Sequence, residues 1–219
     1  DRSVSRGLGD VYKRQIMSNY YPDISHYHPV RNWGKVKSNC PFLIAKATQG
    51  TSYIDETLDT NIRECERRGI PYWLYAFLNR GDETAQTRFL VEVCKERVEK
   101  HFIGYVLDVE SGNTEDGVES ALDYLKRQRH KMMLYTMYSE YERYERIIRR
   151  RPKKCAWWEA RYGLNDAAYR PRYSTHKGAD LQQFTSNGTC PGIPGRVDLN
   201  RITGQGKKEH WFRKAGKCD

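Results

Sequence analysis

The stretch Tyr105-Val106-Leu107-Asp108-Val109-Glu110 decides how this chain is read. An apolar run with the composition of a buried strand ends in two carboxylates two residues apart. Side chains at i and i+2 of a strand point to the same side, so Asp108 and Glu110 project together from the strand's C-terminal end. Like charges held side by side away from water are unfavourable unless chemistry uses them. Glycosidic bond cleavage is one reaction that does. There one carboxyl donates a proton and another supports the developing sugar cation.

Around this strand, short β-like runs alternate with helix-like ones. Residues 20–25, 42–48 and 71–77 read as strands upstream of it, and 132–137 as the next strand downstream. Between them Leu58, Ile62 and Cys65, then Phe89, Leu90 and Val93, then Val118, Ala121, Leu122 and Leu125 recur at helical spacing. Gly69 supplies a helix stop, and Ser139 is placed to cap a tyrosine-rich helix over 139–149. Then the pattern changes. Residues 155–161, 179–185 and 197–202 read as strands, and their connections carry Gly, Pro, Asn and Asp without a helical stripe. The expected fold is α/β: an irregular, TIM-like (β/α) barrel of about five β/α units followed by about three strands with few helices.

We expect one catalytic barrel domain over residues 17–204. Residues 1–16 are polar and basic, an appended segment with Met17 as the candidate start, and 205–219 form a basic, peripheral tail. No apolar signal-peptide core precedes the domain, and no stretch approaches the length of a membrane span, so a soluble protein is expected. The 219 residues carry 38 Lys+Arg against 28 Asp+Glu, a formal net charge of +10. Such a surface is either a solvated face or an attraction for polyanions such as nucleic acid, anionic lipid or the anionic polymers of a cell wall, with local clusters at residues 149–154 and Lys207-Lys208. The six cysteines are widely spaced without a C-x-x-C pair, which argues against zinc and redox motifs and leaves disulfides and buried thiols both open. His26 and His28 lack the further ligands of a metal site, and no P-loop, G-x-G-x-x-G or G-x-S-x-G pattern occurs. No metal and no cofactor are expected.

In a β/α barrel the working residues sit at the C-terminal strand ends. Asp23, Asp108, Glu110 and Asp198 have that placement on different strands. Any one aspartate is more simply a turn or cap residue, but four strand ends supplying the same chemistry weaken that reading. Tyr75, Phe77, Tyr135, Trp158 and Tyr162 lie late in strands or just past them. They are either core packing or a wall on which pyranose rings stack.

Taken in order, these segments resemble the family 25 glycoside hydrolases, the muramidase lysozymes of bacteria and phages. The resemblance runs from about Tyr21 to Gly204. It rests on Asp23-Ile24-Ser25-His26, Trp33, residues 42–53, Leu107-Asp108-Val109-Glu110, Leu134-Tyr135-Thr136, Trp158–Gly163, Pro191-Gly192-Ile193 and Val197-Asp198-Leu199-Asn200. It implies hydrolysis of the β-1,4 bond between N-acetylmuramic acid and N-acetylglucosamine in peptidoglycan glycan strands. Glu110 would be the general acid/base, Asp108 the support of the reacting sugar, and Asp23 and Asp198 the rest of the acidic cluster. Tyr75, Phe77, Tyr135, Trp158, Tyr162 and Gln183 are the expected substrate contacts. Retention of configuration is expected, with either a carboxylate or the substrate's N-acetyl group as nucleophile. The resemblance also implies action at the cell wall, outside the cytoplasm. Three positions depart from the family pattern: Ala76 where His is frequent, Gln49 where Glu is frequent, and Gln182 where Trp is usual.

Three other readings compete. A wall-binding protein without turnover is motivated by those departures. A nucleic-acid-binding protein is motivated by charge alone, without a recognition motif. A chitinase-like barrel would carry further aspartates upstream of D-x-E, where this chain has Ile103 and Val106. For the leading reading, Glu110 is expected to hold a raised pKa through burial and the proximity of Asp108.

Overall fold

The computed structural model describes residues 20–110 and 112–215. The expected N-terminal appendage, Met17 and Cys218 lie outside the described residues.

Eight strands close into a barrel: β1 (Tyr21–Ile24), β2 (Leu43–Gln49), β4 (Tyr72–Phe77), β5 (Phe102–Val109), β6 (Met132–Met137), β7 (Cys155–Ala160), β8 (Leu181–Cys190) and β9 (Ile193–Ile202). A two-residue strand, β3 (Tyr53–Ile54), pairs antiparallel with the end of β2. Strands β1 to β8 of the barrel run parallel to their neighbours, and β9 runs antiparallel to both β8 and β1, where the ring closes. Helices α1 (Trp33–Asn39), α2 (Leu58–Arg68), α3 (Glu83–Cys94), α4 (Glu115–Arg127) and α5 (Tyr141–Arg150) follow the first five barrel strands. A short α6 (Glu209–Arg213) ends the described chain. The expected five β/α units and three largely helix-free strands are those observed.

The alternation of the strands explains why this sequence closes a barrel rather than an open sheet. Ile44, Trp73, Val106, Met133, Ala156 and Leu181 point inward and form one buried cluster. Their neighbours Leu43, Ala45, Leu74, Tyr105, Leu107, Leu134 and Trp157 point outward, into a second cluster beneath the helices. Both faces of each parallel strand are therefore covered, which is why these segments read as continuous apolar runs. Helices α3 and α4 begin on side-chain caps, Asp82 to the Ala85 N–H and Thr114 to the Gly117 N–H, and α2 stops at Gly69 in a left-handed conformation.

Three expectations need correction. Ser139 does not cap α5. It lies in a 3-10 turn (Tyr138–Glu140) ahead of the helix, whose first residue is Tyr141. The last two strands are each ten residues long, because they pair as an antiparallel hairpin that extends past the barrel wall. The C-terminal tail is not peripheral. Phe212 of α6 is fully buried in the barrel's interior cluster, stacks on Phe42 at 5.5 Å, and receives a hydrogen bond on its carbonyl from Trp73 Nε1 at 2.9 Å. A short helix whose apolar residues Trp211 and Phe212 sit among cations seals the N-terminal end of the barrel.

Candidate active site

Asp108 occupies the penultimate position of β5, aligned with Phe77 on β4 and Tyr135 on β6, and Tyr135 in turn aligns with Trp158 on β7. These four side chains form one layer across the barrel's C-terminal end. Glu110 stands two residues beyond Asp108, just past the strand, and is exposed at the mouth. Asp23 on β1 and Asp198 on β9 are direct partners in the closing pair of strands. The two pairs of carboxylates thus approach the mouth from opposite arcs of the ring.

Each member is held differently. Asp23 is buried, and its Oδ2 accepts hydrogen bonds from Gln183 Nε2 at 3.0 Å and Asn200 Nδ2 at 2.7 Å. The amide oxygen of Gln183 accepts from the hydroxyls of Tyr135 at 2.8 Å and Tyr162 at 2.7 Å. A continuous network therefore runs from the two tyrosines to Asp23 and fixes its orientation. Asp108 is buried with an Oδ1 that has no partner among the described side chains. Trp158 is likewise buried, edge-to-face with Tyr135 at 4.6 Å, and its Nε1 donor has no partner among the described residues. Tyr75 and Phe77 are half-exposed at the mouth.

Burial governs the protonation of the cluster. It raises the Asp23 pKa to about 6, with Glu110's charge adding and the two amide hydrogen bonds opposing. Asp198 rises to about 8, again from burial first and then the charges of Asp23 and Glu110. Burial, with the neighbouring Glu110 and Asp23 charges, pushes Asp108 well above the carboxylate range. Burial also raises Glu110. The expected second cause is corrected here, because Asp108 acts on Glu110 as a hydrogen-bond donor and lowers its pKa, as do Lys46 and Tyr135. Four carboxyls in one pocket cannot all ionise at neutral pH, so the cluster retains protons as one coupled unit.

Lys46 was not singled out from sequence. It is the one cation on the inward face of β2, buried in the wall of the site. Its Nζ donates to Gln49 Oε1 at 2.7 Å and lies 5.4 Å from the Phe77 ring centre and 5.7 Å from that of Tyr53. The signal was a lysine amid an otherwise apolar run, and ordinary polar alternation hid it. Asn200 lay within the expected last strand with no role of its own, and it faces inward and anchors Asp23. Of the three departures, only Gln49 touches the site. Ala76 points outward into the helix-facing core, and Gln182 is buried beneath the 161–173 loop, donating to the carbonyls of Arg161 and Tyr173. His26 is engaged structurally, its Nδ1 2.9 Å from Asp55 Oδ2 and 3.2 Å from the Tyr53 hydroxyl.

A closed (β/α) barrel with a proton-retaining carboxylate cluster at its C-terminal mouth, walled by aromatics, has the equipment of a glycoside hydrolase. The sequence matches the model of glycosyl hydrolases family 25 over residues 22–193, and the chain belongs to that family. It is 26% identical over 200 residues to lysozyme M1 of Streptomyces globisporus, covering 83% of this chain and 67% of that one. Among solved structures it is similar to the catalytic domain of endolysin ply40 from bacteriophage P40 of Listeria monocytogenes. There the identity is 27%, the TM-score 0.72, and coverage 86% of this chain and 94% of the other. The fold also matches a glycosyl hydrolase 25 of Streptococcus pneumoniae, with TM-score 0.77 at 19% identity, over 94% of this chain and 97% of that one. The protein is a glycoside hydrolase.

Proposed function

We propose that the chain is an N-acetylmuramidase that cleaves the β-1,4 bond between N-acetylmuramic acid and N-acetylglucosamine in peptidoglycan, with net retention, acting on the wall from outside the cytoplasm. The observation that carries the reading is the pairing of an exposed Glu110, whose pKa burial raises, with a buried Asp108 at one strand end, facing Asp23 and Asp198 across the mouth. The family membership and the lysozyme and endolysin relatives support it.

In this reading Glu110 is the acid. It is reachable from solvent, and burial raises its pKa, which favours the protonated form that the leaving oxygen needs. Once it has given up that proton, the same carboxylate draws a proton from the incoming water. Asp108, protonated and donating to Glu110, readies that carboxyl. Asp23, held by Gln183 and Asn200, supplies negative charge beneath the sugar ring as positive charge develops there. Tyr75 and Phe77 offer apolar faces to the pyranose, while Trp158 Nε1, Tyr135, Tyr162 and Gln183 line the deeper wall. Mass spectrometry of products from purified peptidoglycan tests the bond. Products ending in reducing N-acetylmuramic acid are expected, and products ending in reducing N-acetylglucosamine would overturn the assignment. Proton NMR of the first-formed anomer tests retention.

A further inference from the structure

Three segments at the end of the barrel opposite the mouth concentrate its positive charge. They are residues 126–131, which lead into β6, residues 149–154, which lead into β7, and residues 207–214 around α6. Together they hold 13 of the 38 Lys+Arg and one of the 28 Asp+Glu, so without them the chain's formal balance turns slightly negative. The segments are in contact. Lys126, Arg129, Lys153 and Lys154 line one cleft of about 230 Å³ with Met132 and Pro152. Lys207 Nζ donates to the Lys153 carbonyl at 2.9 Å, and Lys131 Nζ donates to the Lys214 carbonyl at 2.9 Å. Burial, then the like charges of Lys207 and Lys214, pulls the Lys131 ammonium down to about 8. Some neutralisation exists: Arg149 meets Glu145 at 2.7 Å, Arg213 meets Glu209 at 2.9 Å, Arg151 meets Asp180 at 3.3 Å, and Lys126 meets the exposed Asp123 at 3.9 Å. Among the described residues no ion pair engages Lys131, Lys153, Lys154, Lys207 or Lys208.

We propose that this platform is a binding site for a phosphodiester polyanion of the cell wall, engaged while the opposite end of the same barrel cleaves glycan. Cations crowded together in excess of the carboxylates around them cost stability that a polyanion restores by replacing the repulsion with attraction and releasing counterions. The lining favours a polyol- or sugar-phosphate chain over nucleic acid. Nucleobases need free aromatic faces, and the nearby Trp211 ring already carries the Lys131 Nζ at 4.0 Å and the Lys207 Nζ at 5.4 Å. The spacing fits simultaneous engagement, since a barrel strand of this length separates platform and mouth by roughly 20 Å. The partner's identity rests on the muramidase reading, whereas the anion-binding surface does not.

The test uses the full chain, a synthetic glycerol-phosphate polymer, and a single-stranded oligonucleotide with the same number of phosphates. The parent is expected to bind the polymer, to lose about tenfold or more in affinity between 50 and 200 mM salt, and to lose a similar factor in the K126E/K153E/K154E variant. A K153Q/K154Q variant with unchanged Tm guards against misfolding and is expected to show an intermediate loss. Unchanged binding in both variants overturns the site, and tighter binding of the oligonucleotide overturns the polymer in favour of nucleic acid. Cleavage of polymer-free glycan is expected to be equal in parent and variants. Its absence in all of them would defeat the muramidase reading while leaving the binding result intact.

An independent observation concerns the cysteines. Cys40, at the end of α1, and Cys190, at the end of β8, are both buried with their Sγ atoms 3.3 Å apart. Cys65, Cys94 and Cys155 are buried on separate elements. We infer that Cys40 and Cys190 become a disulfide by exchange with a low-molecular-weight disulfide. One thiolate attacks the oxidant and releases a thiol; the other displaces the second thiol, so two protein thiols are oxidised and one small disulfide is reduced. The bond would tie the hairpin that carries Asp198 and Asn200 to the helix following β1. After folding with oxidised glutathione, non-reducing peptide mapping is expected to show a linked Cys40–Cys190 peptide about 2 Da lighter than the paired thiols, with Tm about 5 °C or more above that of the reduced protein. Full alkylation of both cysteines without reductant, or a different pairing, would overturn it.

Discussion

At the residue scale, the site's character comes from burying acids rather than from pairing them with bases. Glu110→Gln removes the transferable proton while keeping the side chain's shape. Lytic activity is expected to fall by about 10³-fold with Tm unchanged within about 2 °C, read by turbidity clearing and thermal melting. Lys46 is the one nearby cation that lowers Glu110 and Asp108. Lys46→Met therefore raises both carboxyls, and the basic limb of the pH–rate profile is expected to move up by about 1 unit. An unmoved limb would show that Lys46 serves packing alone. Asp198 gives the stability counterpart. Its folded pKa of about 8 lies above the unfolded carboxyl value of about 3.9, so the folded state binds the extra proton between them. Its contribution is full below about pH 4 and is lost as pH rises through about 8. Asp198→Asn is expected to gain on the parent in Tm progressively from pH 5 to pH 8, by a few degrees at the upper end, with activity reduced throughout.

At the element scale, α6 does what the strands cannot: it closes the end of the barrel away from the mouth. Phe212→Ala opens a cavity against Phe42 and Trp73 and is expected to cost about 3–5 kcal/mol in urea denaturation. Its kcat at a permissive temperature stays near the parent's, because the site lies at the other end. Sequence revealed the parallel strands well, since burial on both faces turns each into an apolar run bounded by turn residues. It also placed the four carboxylates, because a strand that ends in charge is conspicuous. What it could not reveal were features set by partners distant in the chain. The β8–β9 hairpin passes through several register shifts, and its Gly- and Pro-containing residues 187–195 look like loop. Asn200 carried no sign of its role because its acceptor, Asp23, lies 177 positions away. Trp211-Phe212 looked like part of a solvated tail because its immediate neighbours are charged. Gln182 read as a lost binding residue, whereas its position on the outward face assigns it to the loop beneath which it is buried.

At the scale of the whole molecule, the net charge of +10 is an average over two opposed ends. The mouth gathers Asp23, Asp108, Glu110 and Asp198, while the cations cluster around the starts of β6 and β7 and around α6. A glycan approaching the mouth is therefore not drawn in by the protein's net charge, and on the binding proposed above, attraction to an anionic wall would act through the far end. This separation has a kinetic consequence. Salt should weaken capture by the wall, which depends on long-range attraction, and leave the chemical step in the buried cluster almost untouched. Raising salt from 50 to 200 mM is expected to lower the apparent kcat/KM on intact walls by about tenfold, and to change hydrolysis of a short soluble peptidoglycan oligosaccharide by less than about twofold. Both rates are measurable with the same enzyme preparation by reducing-end release. An equal salt dependence on the two substrates would place the sensitivity at the mouth and remove the functional distinction between the two ends. In K153E/K154E, the wall rate at low salt is expected to fall toward the high-salt value and lose its slope, while the oligosaccharide rate stays at the parent's level.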